Sequence, residues 1–246
     1  MIFASIEFGL YIIIVFAIYW FIVRRNLTLQ NAFLLAAGYV FYAWWDWRFL
    51  FLLIGVSVFN YLIGWGIEIN PAAEEGEAIT VEKARKARNR KLFLVAGVVA
   101  NVMVLGVFKY YNFFIDSFIQ MVALAGYELP RSTTRFILPV GISFYTFLSL
   151  SYIIDIYRQT INAEKNLMNV LLTLSFFPII FAGPIQRPST LLPQIKASRL
   201  FQYERVADGL RQFLWGAFAK LVLADQLAPF VADFISNLYT SSSSIP

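Results

Sequence analysis

Long apolar segments are the feature that most constrains the fold of this chain. A helix that crosses a bilayer needs about 20 largely apolar residues, and such runs recur along most of the 246 residues. Hydrophobic residues make up 59% of the chain and charged residues 14%, whereas soluble domains are roughly 45–50% apolar. A soluble fold of this size cannot bury that much apolar surface. The sequence therefore predicts an all-α, polytopic transmembrane helical bundle, a single integral membrane domain over residues 1–246.

Charged and turn-forming residues divide the apolar sequence into segments. We expect six or seven of them to cross the membrane. The one long hydrophilic stretch, residues 70–91, is predicted to be a solvated cytoplasmic loop with some helical content. The predicted segments are 5–23, 31–45, 49–69, 92–108, 113–125, 136–156, 167–185 and a last helical region, 206–235. Within that last region, Lys220 and Asp225 are five residues apart and do not share an α-helical face.

Basic residues indicate the orientation. Arg24, Arg25 and the cluster at 83–91 are separated by two predicted spans. Because cytoplasmic loops are rich in Lys and Arg, both groups are placed inside and the N-terminus outside. The net charge of +5 has the same explanation, which is favoured over nucleic-acid binding. The predicted location is the inner membrane of a bacterium, with the lipid bilayer as the immediate partner.

The segment 167–185 is predicted to enter the membrane and return. Lys165 and Arg187 flank it, and if both flanks are cytoplasmic the segment does not cross. A broken or re-entrant helix survives at membrane depth only where protein or a water-filled cavity covers it. The residues that suit such a break are Pro178, Gly183 and Pro184.

The predicted helix at 138–158 has a polar face. At about 100° per residue, one arc of roughly 120° differs from the branched aliphatic side opposite. Asp155 belongs to that arc, and a carboxylate facing lipid costs several kcal/mol, so the arc should face the protein interior. The arc contains Gly141, Phe144, Tyr145, Leu148, Ser151, Tyr152 and Asp155.

Two interpretations of this arc remain open. In the first it packs against other helices, with hydroxyls bonded across the interface and Asp155 paired to Arg158 or to a neighbouring helix. In the second it lines a substrate passage. Cysteine and histidine are absent, which excludes disulfides, Cys/His metal sites and a histidine base on this chain. No metal site is predicted, and no P-loop, dinucleotide fingerprint, nucleophile elbow or metalloprotease signature is present.

Four motifs together resemble the membrane-bound O-acyltransferases, in the branch of the bacterial alginate O-acetyltransferases. They are PVGISFYTF with LSYIIDIYR at 139–158, FFPIIFAGPIQR at 176–187, GAFAKLVLAD at 216–225 and FYAWWD at 41–46. The resemblance implies a polytopic enzyme whose central chamber is reached from both membrane faces. The acyl group, often acetyl, moves from a cytoplasmic donor such as acetyl-CoA to an extracytoplasmic hydroxyl. No bound cofactor is implied.

The resemblance favours the passage interpretation and carries over to particular residues. Many relatives have a polar residue, commonly Gln, where this chain has Leu148, so the polar arc has an apolar gap. The residues expected to line or shape the chamber are Ser143, Tyr145, Ser151, Tyr152, Asp155, Arg158, Pro178, Gly183, Pro184 and Arg187.

The catalytic histidine of the family has no counterpart in this chain. A histidine is a reasonable base for activating a hydroxyl near neutral pH. We therefore expect this chain to be the N-terminal half of such an enzyme, inactive alone, whose partner is the C-terminal half or a catalytic or periplasmic protein. The alternatives are a non-catalytic membrane partner of a separate catalytic protein, and a small transporter. The acceptor is left open among alginate, cellulose, peptidoglycan and teichoic acid.

Overall fold

The computed structural model describes residues 6–71, 81–124, 137–180, 183 and 186–242, the last six of these by backbone alone. The predicted all-α class is confirmed, since the described residues are helical apart from short connections and include no strand. The chain divides into two compact units, Val23–Ala197 and a second formed by Met1–Ile22 with Ser198–Pro246. The α-helices are α1 (Ile6–Ala17), α2 (Leu27–Glu68), α3 (Val81–Leu124), α4 (Ile142–Tyr157), α5 (Leu167–Leu174), α6 (Phe177–Ile180), α7 (Pro188–Lys196), α8 (Tyr203–Phe218) and α9 (Asp225–Ser242).

Two of these helices, α2 and α3, are long and apolar enough to cross a membrane by length and composition. Shorter apolar helices lie at Ile6–Ile22, Ile142–Tyr157 and Leu167–Ile180. Together with the many large hydrophobic side chains that remain exposed, these helices agree with the predicted membrane protein.

Helix α2 folds back on itself at Asp46, whose backbone is extended at φ −159°, ψ 113°. The Asn31 amide donates to Asn169 Oδ1 over 3.2 Å, and the Tyr61 hydroxyl donates to the Lys165 carbonyl over 2.9 Å. A straight helix would hold positions 31 and 61 about 45 Å apart, yet both contact one short segment. The boundary predicted between 31–45 and 49–69 is therefore confirmed.

Helix α3 is continuous, which corrects the predicted division of 92–125. The segments 92–108 and 113–125 are one helix as far as Leu124, and 81–91 forms its first turns, so the hydrophilic stretch has the helical content predicted for it, and more of it. Residues 72–80 and 125 lie outside the described residues. The sequence Lys-Tyr-Tyr-Asn at 109–112 interrupts the hydropathy but contains no Pro or Gly, so nothing in it breaks the helical hydrogen bonds.

A pair of buried asparagines joins α3 to the second half of α2 (residues 47–68). The Asn101 amide donates to Asn60 Oδ1 over 2.8 Å, and the Asn60 amide donates to Asn101 Oδ1 over 3.1 Å. Gly97 lies one turn away and faces Ile63 and Ile153; an added Cβ would come within 2.9 Å of both side chains. Small residues and side-chain amides of this kind hold helices together in lipid, where apolar burial alone gives little drive.

The second unit is described by itself. Its Arg199 guanidinium donates to the Tyr19 hydroxyl over 2.8 Å, and Trp20 packs edge-on against Phe201. The predicted helical region at 206–235 is found as α8 and α9, joined by a π-helical turn at Ala219–Ala224. Lys220 pairs with Asp225. Five residues apart, they do not share a face of an α-helix, but they meet here because a π-helix bonds residues five apart.

Candidate functional site

Helix α4 begins at a glycine that the structure requires. Gly141 has φ +76°, a left-handed conformation that disfavours residues with a Cβ. An added Cβ there would also come within 2.4 Å of Ile180 Cγ2 and 2.7 Å of the Ile180 carbonyl oxygen. The start of α4 is thereby held directly against α6.

The predicted polar arc of α4 faces the interior at four positions. Tyr145, Leu148, Tyr152 and Asp155 are buried, with Asp155 7% exposed. Ser151, at one edge of the arc, is half-buried, and so is Ser143, which lies outside the arc. The interior orientation is thus confirmed for these four positions, while the role of the arc as a chamber wall stays a prediction.

Most of the opposite side of α4 is buried as well, which the helical periodicity did not predict. Ile142, Thr146, Ser149 and Ile153 are no more than 2% exposed, because α4 packs between α2 and α3 on this side. A narrow strip around Phe147, 48% exposed, remains open.

Asp155 does not make the ion pair expected of it. Among the described residues it has no cationic partner, and its Oδ2 is buried without a hydrogen bond. Arg158 is exposed one turn later, where its backbone N–H ends α4 by donating to the Ile154 carbonyl over 2.8 Å. The pairing with Arg158 is not formed: the Arg158 side chain is exposed, whereas the Asp155 carboxylate is buried.

The segment after α4 enters beside α2, but it returns only through α7, beyond the range 167–185 that was predicted to turn back. Helices α5 and α6 follow the first half of α2: Asn169 bonds Asn31, and Gly38 lies against the Ser175 carbonyl and Phe177. Helix α7 then leads back, and the Asn31 amide also donates to the Ile195 carbonyl over 3.1 Å. The start of α5 and the end of α7 therefore lie at the same side of the Val23–Ala197 unit. This side is called here the basal end.

The return differs from the prediction in where it begins. Arg187 was expected on the same side of the membrane as Lys165. It lies instead at the opposite end of the unit, in the connection before α7 whose described residues are 183, 186 and 187 and which is called here the far turn; its carbonyl accepts from the backbone N–H groups of Thr190 and Leu191. Gly183 donates to the Ile179 carbonyl, and an added Cβ would come within 2.8 Å of the Ile179 Cα. Pro178 is exposed in α6, and Pro184 lies outside the described residues.

A hydrogen-bonded cluster at the basal end joins four elements and is called here the basal network. Lys196 Nζ lies 2.7 Å from Glu164 Oε2, and Glu164 Oε1 accepts from the Asn169 amide over 3.5 Å. The Glu164 N–H donates to the Tyr152 hydroxyl over 3.2 Å. Its members are Asn31 of α2, Tyr152 of α4, Glu164, Asn169 of α5 and Lys196 of α7.

Opposing effects act on the Glu164 carboxyl. Burial by itself raises its pKa, but bonds from Lys196, the Asn166 N–H and the Asn169 amide, with the charge of Lys196, outweigh burial and lower the pKa below its ordinary value. The ionised form is therefore the one that the folded protein favours.

A small crevice lies where α4 meets the far turn. It is lined by Phe144, Leu148, Ile179, Ile180 and Gln186. The crevice is mostly apolar in its lining and includes two residues of the predicted arc. In the described part of the chain, no three His, Cys, Asp or Glu side chains gather as metal ligands would.

Sequence reasoning missed several polar residues that the structure makes central. Asn31, Asn60, Asn101 and Asn169 all lie in apolar segments, and an amide within such a segment is the signal that could have identified them. Arg90 was taken as part of a solvated basic cluster, but its side chain is buried.

Comparisons with known proteins give consistent relatives. The chain is 40% identical over 199 residues, 81% of its length, to the probable alginate O-acetylase AlgI of Pseudomonas aeruginosa. It is 40% identical over 204 residues, 83% of its length, to the protein of the same description from Azotobacter vinelandii. It is 32% identical over 247 aligned positions, 90% of its length, to a peptidoglycan O-acetyltransferase of Helicobacter pylori.

The matches cover only part of each relative. The chain spans 35%, 38% and 43% of the lengths of these three proteins. No family model matches the chain. No solved structure matches it either.

Proposed function

Since this chain belongs to the alginate O-acetylase-like group of the membrane-bound O-acyltransferases, we propose that it forms part of an enzyme that O-acetylates an extracytoplasmic polysaccharide. The observation that carries the proposal is the similarity over at least 81% of the chain to relatives described as alginate and peptidoglycan O-acetyltransferases. The acyl donor is a cytoplasmic acetyl thioester such as acetyl-CoA. The acceptor is a sugar hydroxyl in the cell envelope.

The packing around α4 supports a chamber at this place. The motif helix presents Tyr145, Tyr152 and Asp155 inward. The second motif contains α6, which abuts the first motif where Ile180 meets Gly141. The two most specific motifs of the sequence are therefore neighbours in space, as the walls of one chamber would be.

The distribution of charge supports a cytoplasmic basal end. The two halves of α2 begin and end there, and α3 runs antiparallel to the second half, so its basic N-terminal turns lie at the same end. The other end of the unit carries Arg48 beside Asp46. Because basic residues concentrate on the cytoplasmic side, the donor would approach from the basal end. The basic residues at the basal end are Arg24, Arg25, Lys83, Arg85, Lys86, Arg88, Arg90, Lys91, Arg158, Lys165 and Lys196.

The proposed role of this chain is to build and position the chamber. It contains no histidine, and deprotonating an acceptor hydroxyl near neutral pH needs a base of suitable pKa. We propose that the base comes from another part of the enzyme or from a partner protein. Asp155 would orient donor or acceptor groups by accepting a hydrogen bond.

Deletion of the gene in its host tests the function directly. The base-labile acetate of the envelope polysaccharides should fall, and reintroducing the gene should restore it. A complementing gene with Asp155→Asn should restore much less, whereas the matched surface variant Asp208→Asn should restore it fully. Unchanged acetate after deletion would overturn the proposed function.

A second assay separates the chamber role from the activity. The purified chain, supplied with labelled acetyl-CoA and polysaccharide, should transfer no acetate above background. Robust turnover by this chain alone would show that it carries its own base, and the scaffold role would then be wrong.

A further inference from the structure

Arg90 is set apart from the other basic residues of α3 by its burial. It is 5% exposed, whereas Arg88 and Lys91 on the same helix are exposed. Burying a guanidinium is costly unless its donors find acceptors. Among the described residues no carboxylate pairs with it, so its partners must be sought elsewhere.

The partners are backbone carbonyls at the ends of two helices. Arg90 Nη1 donates to the carbonyls of Ile67, over 3.3 Å, and Asn70, over 3.2 Å. Arg90 Nη2 donates to the carbonyls of Ile156, over 3.1 Å, and Tyr157, over 2.8 Å. One nitrogen thus serves the end of α2 and the other serves the end of α4.

This arrangement matches the chemistry of both partners. The last carbonyls of a helix lack intrahelical donors, and the negative end of the helix dipole favours a cation there. Two such ends supply the charge compensation that a carboxylate would otherwise give. The guanidinium also lies 5.3 Å from the centre of the Tyr157 ring, which adds a cation–π contact.

The shape of the guanidinium matters as much as its charge. Its planar fork presents separate N–H donors in fixed directions, so it can bond two helix ends at once. A lysine has a single nitrogen on a flexible stem. It can keep the charge at position 90 but cannot occupy both nitrogen positions.

We propose that Arg90 is a positioning residue that locks α4 to the second half of α2 and so fixes where Tyr152 and Asp155 lie. The lock itself is independent of acetyl transfer; only its importance for the chamber rests on the proposed function. Tyr152 and Asp155 lie within the last two turns of α4, close to the carbonyls that Arg90 holds.

The absence of cysteine makes a distance measurement direct. Leu62→Cys in α2 and Phe147→Cys in α4 place spin labels at positions that are 52% and 48% exposed. In the otherwise unchanged full chain in lipid, the label-to-label distance should form one narrow distribution. Arg90→Ala should broaden or shift it, and the matched exposed control Arg88→Ala should leave it narrow.

Chemical rescue distinguishes the lock from general destabilisation. Millimolar propylguanidinium should restore the narrow distribution of Arg90→Ala, because it refills the site formed by the four carbonyls. Arg90→Lys should stay broader than the unchanged chain. If Arg90→Ala does not fold, Arg90→Lys and refolding with propylguanidinium carry the same test. A narrow distribution at the unchanged distance in Arg90→Ala without the additive, or full recovery with lysine, would overturn the proposal, and neither result depends on acetyltransferase activity.

Discussion

Two polar regions of α4 differ in how well they are hydrogen-bonded. In the basal network, Tyr152 accepts from Glu164, and Glu164 bonds both Lys196 and Asn169. Elsewhere on the helix, Thr146 Oγ1, Ser149 Oγ and Asp155 Oδ2 are buried without a partner in the described part of the chain. These three are called here the unpaired set.

The difference distinguishes polar groups that hold the fold together from polar groups that are free to bind a ligand. Buried polar groups are nearly always hydrogen-bonded, and each exception calls for an explanation. The basal network joins α2, α4, α5 and α7 and therefore explains how the returning segment is held. The Asp155 carboxylate makes no hydrogen bond or ion pair in the described part of the chain, and it shares the arc that includes Phe144 and Leu148 of the crevice. That makes Asp155 the member of the unpaired set best suited to bind a ligand.

The largest effect is expected from breaking the basal network at its centre. Glu164→Ala removes the acceptor of Lys196, Asn166 N–H and Asn169. The loss leaves the buried Asn169 amide without this acceptor and also removes the bonds of the Asn166 N–H and of the half-exposed Lys196, so the free energy of unfolding should fall by about 1–3 kcal/mol. Denaturant unfolding in detergent, followed by tryptophan fluorescence, measures it.

The exposed acidic residue Glu82 provides the control. In the described part of the chain it pairs with Lys86 on the surface of α3, and such pairs contribute little to stability. Glu82→Ala should therefore leave the unfolding midpoint unchanged. Equal stability of the Glu164→Ala and Glu82→Ala chains would show that the network does not hold the returning segment.

A smaller effect is expected from pH. The pKa of Glu164 in the folded chain lies below its ordinary value of 4.5, so the ionised carboxyl stabilises the fold fully above that value. The contribution is lost as the pH falls through the folded pKa. The stability difference between the unchanged chain and Glu164→Gln should therefore shrink between pH 7 and a pH well below 4.5. A difference that is independent of pH would mean that charge plays no part in the network.

The sequence predicted those features that follow from polarity along the chain. The break of α2 at Asp46 and the inward arc of α4 both arise from where charged, polar or helix-breaking residues interrupt apolar runs. The predicted return within 167–185 was wrong, because the chain turns back only at α7. The same criterion failed at 109–112, where α3 continues because charge and hydroxyls do not break a helix.

Burial of individual polar residues was beyond what the sequence could predict. Arg90 and Arg88 are identical in type and two positions apart, yet only Arg90 meets the carbonyl ends of α2 and α4. Glu164 belongs to a loop that looks solvated, but it is enclosed because α7 returns to it. Both outcomes depend on contacts between segments far apart in the chain. Hydropathy and helical periodicity describe each segment separately and therefore cannot predict such contacts.

The smallest change in the free energy of unfolding is expected for substitutions in the unpaired set. Such substitutions test most directly whether these groups differ from the hydrogen-bonded groups of the basal network. Ser149 is fully buried and its hydroxyl has no partner among the described residues, so Ser149→Ala removes a desolvated group and loses no bond. Ser57 is buried to nearly the same extent, but its hydroxyl donates to the Leu53 carbonyl over 2.8 Å. Ser57→Ala should cost about 0.5–1.5 kcal/mol in the free energy of unfolding, whereas Ser149→Ala should be neutral or slightly stabilising. If Ser149→Ala lowers the free energy of unfolding as much as Ser57→Ala does, the Ser149 hydroxyl is hydrogen-bonded in the protein in lipid. The unpaired set then consists of Asp155 and Thr146 alone.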